Sequence, residues 1–365
     1  MDISTDTTKD DPAQDLTERL FAAAVATGDV FAVYLGDRLG YYQALATDDA
    51  LTSSALASRT GTVERYAREW LEHQAVSGIL TVDNPDADAL VRRFRLPTAH
   101  HAALVDLQGL ACMTPMLRLL VGSGQVLPLV ENAFRTGGGV PYTAYGEVRE
   151  AIASCNQPLF SNLLGTEWLP AIPDLHHRLS TDPTARVADI GCGLGWSSIA
   201  IAETYPLVHV DGFDLDDASI AAAQANAVAR GVADRVTFQV RDAGDPTLAG
   251  NYTLACAFEC IHDMPDPVSV LRAMRRLVHG DGSVLIADER VAETFAAPGE
   301  PMERLLYALS LLHCLPVGMA DEPSVATGTI MRPDVFRQYA AQAGFQAVEI
   351  LPIESDAWYF YRLSG

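Results

Sequence analysis

Lysine is almost missing from this 365-residue chain: of 25 basic residues, only Lys9 is lysine and the rest are arginine. A Schiff-base enzyme needs a buried amine, and P-loop and kinase sites need a lysine on the phosphates. Lys9 stands in a polar, acid-rich stretch (residues 1–14) that reads as a disordered tail, so those mechanisms are excluded. Positive charge is scarce as a whole. Against the 25 basic residues stand 47 acidic ones, a net charge of −22. Such a surface repels nucleic-acid backbones and anionic membranes. No apolar run reaches the length of a membrane span, and the acidic amino terminus is not a secretory signal. The six cysteines show no CxxC pair and read as reduced thiols of a cytoplasmic protein.

What is present divides into two textures. Residues 15–180 read as mainly helical. Leu16, Leu20, Ala23 and Ala24 begin one amphipathic segment, and a second follows near Val30–Leu45. A short helix closes at Gly61, another runs over Thr62–Val76, and two strands, Ile79–Val82 and Arg92–Leu96, flank a turn. Helix, turn, helix and two-stranded wing make a winged-helix pattern over 15–100. Its function is either DNA reading or packing. From Leu51 to Pro97 six arginines (59, 65, 68, 92, 93, 95) face six acids (64, 69, 72, 83, 86, 88). A DNA-reading module is clearly basic, so the balance favours a dimerisation or packing module and no nucleic-acid partner. Residues 101–180 form a helical linker or pocket segment, with Tyr142, Tyr145 and Trp168 as either pocket lining or core.

From Arg186 onward strands and helices alternate, the mark of a parallel sheet. Strands are expected at Val187–Ile190, Val208–Phe213, Val236–Val240, Tyr252–Phe258, Val284–Ala287, Val348–Leu351 and Trp358–Leu363, with an insertion, Ala292–Ile330, as a lid. The first strand ends in Asp189-Ile-Gly-Cys-Gly-Leu-Gly195. The dinucleotide fingerprint has its third glycine one place later, where this chain has Trp196. Glycines at 191, 193 and 195 let the backbone approach a ligand that brings no pyrophosphate. Asp214, ending the second strand, suits a ribose diol, and Asp242 with Ala243, ending the third, suits an adenine edge.

With the loop and both acids in order, residues 186–365, within an expected domain of 181–365, resemble the class I S-adenosylmethionine-dependent methyltransferases. The resemblance implies an α/β, Rossmann-like sheet of seven strands, the last antiparallel. It also implies a donor site at Asp189, Gly191, Gly193, Gly195, Asp214, Leu215, Asp242, Ala243 and Phe258, and a small-molecule acceptor. The whole layout resembles an actinobacterial group of small-molecule methyltransferases of undefined substrate, and a place in secondary metabolism is expected. A homodimer through the amino-terminal helices is also expected, because small domains of this kind often bury an apolar face that way.

After the fourth strand comes Glu259-Cys-Ile-His-Asp-Met-Pro-Asp266. His262-Asp263 resembles the His-Asp-Trp box of plant-type small-molecule O-methyltransferases, with Met264 at the box tryptophan. There the histidine is the general base, and Asp288 or Glu289 would orient it. The same pair resembles metal-dependent α-keto acid C-methyltransferases, which hold iron or zinc; that likeness implies His262, Asp263 and His313 as ligands. A transcriptional regulator with a ligand-sensing sheet is the competing function.

Overall fold

The computed structural model describes residues 12–47 and 49–365. Lys9 and most of the expected tail lie outside the described residues; Pro12–Gln14 already belong to a helix. The chain divides into two compact units, Met1–Val121 and Gly122–Gly365, so the helical stretch expected as a linker is shared between them.

In the first unit the two amphipathic segments expected at the start are one helix, Pro12–Arg38, followed by the short helix Tyr41–Leu45. Ala and Leu carry the long helix across Gly28, whose helix-breaking cost of about 1 kcal/mol is too small to end it. This corrects the expectation about membrane-length segments: Ala13–Arg38 is long and apolar enough, by length and composition alone, to cross a membrane. Helices Ser53–Thr60 and Glu64–Val76 follow. The first is capped by Thr52 and closed by Gly61 in the left-handed region. Strands β1 (Thr81–Val82) and β2 (Phe94–Arg95) pair antiparallel as the wing. Trp70 anchors this unit: its indole donates to the Ala32 carbonyl at 2.7 Å, and Tyr41 and Tyr42 meet its ring edge-on. All six arginines of the winged segment are engaged. Arg65, Arg68, Arg92 and Arg95 pair with acids, and Arg59 and Arg93 donate to backbone carbonyls.

The second unit is built on a seven-stranded sheet of β3 (Arg186–Ile190), β4 (His209–Asp214), β5 (Val236–Val240), β6 (Tyr252–Phe258), β7 (Val278–Glu289), β8 (Ala347–Ile350) and β9 (Trp358–Ser364). Its order is β5-β4-β3-β6-β7-β9-β8, with β9 antiparallel to both neighbours and the five strands from β5 to β7 parallel. Helices such as Trp196–Thr204 and Pro267–Leu277 bury both faces of the central strands, so β6 is buried throughout. That is why these strands appear in the sequence as continuous apolar runs. The chain reverses its direction of travel at β3, between β4 and β6. The carboxyl ends of the strands at this point are the usual ligand position in such sheets.

Candidate active site

Beyond β3 the backbone turns through Gly191, Gly193 and Gly195, at φ 66°, 50° and 81°. A side chain at Gly191 would meet the Cys260 sulfur at 2.7 Å, and one at Gly195 would meet the Phe238 ring at 2.5 Å. At Gly193 nothing stands within 4 Å. Packing therefore requires the outer glycines, and the middle one faces the space a ligand would fill. Asp189 organises this turn from below. It is buried, and one carboxylate oxygen accepts the Ser197 and Ser198 hydroxyls at 2.6 Å each. Burial lifts its carboxyl to about 6.

Asp214 closes the loop from β4. Its two oxygens accept the N–H groups of Gly193 and Asp216, each at 2.9 Å, while burial pushes its pKa up. Leu215 follows, 65% exposed. Asp242 lies on the surface and accepts the Gly244 N–H at 2.8 Å; Ala243 beside it is buried. Phe258 is mainly a core residue, edge-on to Phe160. The glycine cradle, the buried acid below it and the acid at the end of β4 fit an adenosyl ligand.

The ends of β6 and β7 carry the titratable groups. His262 sits in a single helical turn, Ile261–Asp263, and is 2% exposed. Its Nδ1 lies 2.6 Å from Asp288 at the end of β7, and its Nε2 lies 3.2 Å from Asp263. Of the two acids considered as its orienting partner, Asp288 holds the imidazole. Burial alone would lower the pKa of His262, but Asp288 and Asp263 outweigh it and hold the ring well above its ordinary value. Burial raises Asp263, and His262 more than reverses that, leaving it below the usual range.

Glu289 meets Glu259 instead. Both carboxyls are driven up, chiefly by burial, and Asn156 donates to Glu259. Glu259 has a left-handed backbone (φ 53°), which costs a non-glycine residue about 1–2 kcal/mol. Its N–H bond to the Ala287 carbonyl and these side-chain partners hold it there.

Above this end lies the insertion. His313 and Cys314 are both buried on a π-helical turn, Ser310–Cys314. The segment around Tyr142 reaches the same place. Tyr142 and Tyr145 present their rings to His313 at 5.9 and 4.7 Å, and the Tyr145 hydroxyl donates to the Leu312 carbonyl. Arg149 lies over the Tyr142 ring and pairs with Asp216 at 2.7 Å, joining this segment to the donor loop. Tyr142 and Tyr145 thus stand against His313, whereas Trp168 packs in the core on Trp358 and Phe360.

Single ligand atoms of His262, Asp263 and Cys314 lie within 4.8 Å of one another. The third member of this group is Cys314, where the sequence pointed to His313. His313 stands next to it, with Nδ1 3.6 Å from the Cys314 sulfur. Imidazole, carboxylate and thiol suit zinc or iron, so these residues fit a divalent cation. Sequence reasoning missed Cys314, Asn156 and Arg149. The first two gain meaning only through a π turn and a contact across 103 residues; an arginine among so many acids was the one available signal for the third.

A family model described as a methyltransferase domain matches residues 181–311, and one described as an Rv2258c-like winged HTH domain matches 28–106. The ubiquinone biosynthesis O-methyltransferase of Pseudomonas aeruginosa is 28% identical over 166 residues; the match takes in 46% of this chain and 66% of that protein, just under two thirds of its length. Human N-acetylserotonin methyltransferase, solved in complex with SAM, superposes with a TM-score of 0.71 at 16% identity, covering 99% of this chain and all of that one. An O-methyltransferase family protein from Burkholderia thailandensis superposes at 0.64 with 16% identity and 96% of each chain. Residues 181–311 are thus a methyltransferase domain and residues 28–106 a winged helix-turn-helix domain, on the fold of solved methyltransferases.

Proposed function

We propose that the protein transfers a methyl group from S-adenosylmethionine to an oxygen of a small-molecule acceptor, with His262 as general base. The observation that carries this is the 2.6 Å pair of His262 and Asp288, buried where β6 and β7 end beside the glycine turn. The donor supplies an electrophilic methyl on a cationic sulfonium, and Asp214 with Gly191, Gly193 and Gly195 would hold it. Asp288 fixes the imidazole and stabilises its charged form. An acceptor hydroxyl reaching His262 beside Asp263 passes its proton to Nε2. The oxygen forms a bond to the methyl carbon as the carbon–sulfur bond breaks, and that electron pair stays on sulfur. Positioning and exclusion of water by the 292–330 lid supply much of the rate. Incubation with deuteromethyl donor and a panel of phenols tests this by product mass. One labelled methyl per product is expected; acceptors unchanged while the donor is converted otherwise would overturn it.

The cluster of His262, Asp263 and Cys314 favours a second reading of the same site. A cation held by them, with His313 beside it, would act as a Lewis acid on a chelated acceptor oxygen. Stoichiometric metal in purified protein, and activity lost to chelator, would establish it in place of the base.

The reading includes cytoplasmic work as a homodimer, supported by six free cysteines and by the first helix. Leu20 and Phe21 on that helix are 60% and 71% exposed, with Leu16, Val25, Phe31 and Leu35 also bare. This face runs about 40 Å and calls for a covering surface; a second copy provides one with the same apolar chemistry. A Leu20→Glu, Phe21→Glu double variant is expected to sediment as a monomer where the parent sediments as a dimer. A monomeric parent that pellets with lipid vesicles would overturn this in favour of a membrane. The paired arginines of the winged segment support a packing role over DNA reading, and binding to duplex DNA at low salt would reverse that choice.

A further inference from the structure

We propose that His313 and Asp263 form a recognition point for a second oxygen of the acceptor, adjacent to the one that is methylated. The acceptor class is then a vicinal dioxygen compound: a catechol, or a hydroxyl beside a carbonyl. This rests on the methyl-transfer reading and names its substrate class.

Three observations carry it. His313 is 2% exposed, yet its Nε2 is buried with no hydrogen-bond partner. Its other nitrogen already faces the Cys314 sulfur at 3.6 Å, so Nε2 is the end left for a ligand. Buried polar groups in proteins are nearly always satisfied, so an orphan nitrogen aimed into the site is a place for a ligand atom.

Asp263 repeats the pattern. Its Oδ1 has His262 Nε2 as a charged neighbour at 3.2 Å but makes no hydrogen bond of its own. The Cys314 sulfur, with ligand atoms of His262 and Asp263 within 4.8 Å and His313 Nδ1 at 3.6 Å, gathers these groups around one space.

The turn that holds His313 is fixed rather than loose. Tyr145 donates to the Leu312 carbonyl, and Val140 donates to the Pro316 carbonyl at 2.9 Å. A side chain at Gly139 would run into the backbone of Pro316, Met319 and Ala320 at 2.2–2.4 Å. His313 cannot therefore swing out to find water cheaply.

An acceptor with one hydroxyl meets His262 and leaves Nε2 of His313 bare. A neighbouring carbonyl accepts from the Nε2–H of His313; a neighbouring hydroxyl accepts from the same Nε2–H and donates its own proton to Asp263. An anionic second group is disfavoured, because Asp263, Asp288, Glu259 and Glu289 crowd the same end.

The test compares catechol with phenol. Each is titrated by calorimetry into the complex with S-adenosylhomocysteine, and each is assayed for methyl transfer. The parent is expected to bind catechol at least about tenfold more tightly than phenol, the worth of a good hydrogen bond. His313→Leu should bring that ratio toward one, and His313→Gln, which keeps an amide at the same reach, should restore part of it. Melting temperatures check that each variant is folded. If either variant fails to fold, the parent's catechol-to-phenol ratio decides alone. Equal affinity for the two probes, affinity for neither, or a ratio unmoved by His313→Leu overturns the proposal. Catechol affinity that disappears with chelator also overturns it, in favour of a bound cation. Catechol binding that depends on His313 without any methyl transfer would leave this recognition point standing and defeat the methyl-transfer reading instead.

Discussion

Replacing His262 with alanine is expected to lower kcat by about 10²–10⁴-fold, the range for a positioned general base, while donor affinity stays within about twofold. The imidazole's polar partners are Asp288 and Asp263, outside the donor loop, so the two effects separate. Asp288→Asn should cost about 10²-fold, because the amide keeps the shape but no longer stabilises the imidazolium formed as the proton moves. Steady-state kinetics on both variants, with donor affinity measured separately, checks this. Equal losses in kcat and in donor affinity would mean that His262 holds the fold rather than the proton.

The pH dependence follows from the same pair. Asp288 and Asp263 keep His262 protonated above its ordinary value despite its burial. The base is free only as pH rises, so kcat/KM should climb with pH above neutrality. Asp263→Asn should move that limb to lower pH. For the fold the sign is opposite: the pairing stabilises fully below the ordinary histidine value of about 6.5 and is lost as pH rises through the raised one.

Gly195→Val is the second large effect. At φ 81° a β-branched residue is strained, by about 1–2 kcal/mol, and its Cβ would stand 2.5 Å from the Phe238 ring and 2.9 Å from the Ala223 Cβ. Overpacking adds about 1–3 kcal/mol. Together, roughly 3 kcal/mol lowers the melting temperature of a domain this size by about 6–12 °C and tilts the turn that Asp214 holds. Differential scanning calorimetry with a donor titration checks both. A variant that melts like the parent would show that the loop has slack that this geometry denies.

Much of the transferase sheet was readable in the sequence, and the reason is burial. Strands covered on both faces are bare apolar runs between turn residues. Tyr252–Phe258 therefore falls where expected, and the edge strand Val236–Val240 does so through its alternation, with Val236 and Phe238 buried and Thr237 and Gln239 exposed. The donor loop was readable because left-handed turns and close packing both demand glycine. The long strand Val278–Glu289 was expected only over its apolar centre, since its first half carries Gly280 and polar residues that sequence cannot place in a ladder. The first helix was divided in two because a glycine and an aspartate look like a break, although helix propensity outweighs them there.

The chemistry end was half readable. His262 and Asp263 stand out as an adjacent pair, and Asp288 was one of two orienting acids considered. Its choice over Glu289 needed the register of β7, in which the two side chains lie on opposite faces. Cys314 had no signal, because ordinary helical spacing does not predict a π turn.

The most direct measurement is a calorimetric titration of the full-length protein with S-adenosylmethionine, alongside Asp214→Ala. The account predicts saturable binding of one donor per chain, weakened at least about 30-fold in the variant, which loses an acid bonded to Gly193 and Asp216. No heat of binding at millimolar donor, or equal affinity in the variant, would contradict it.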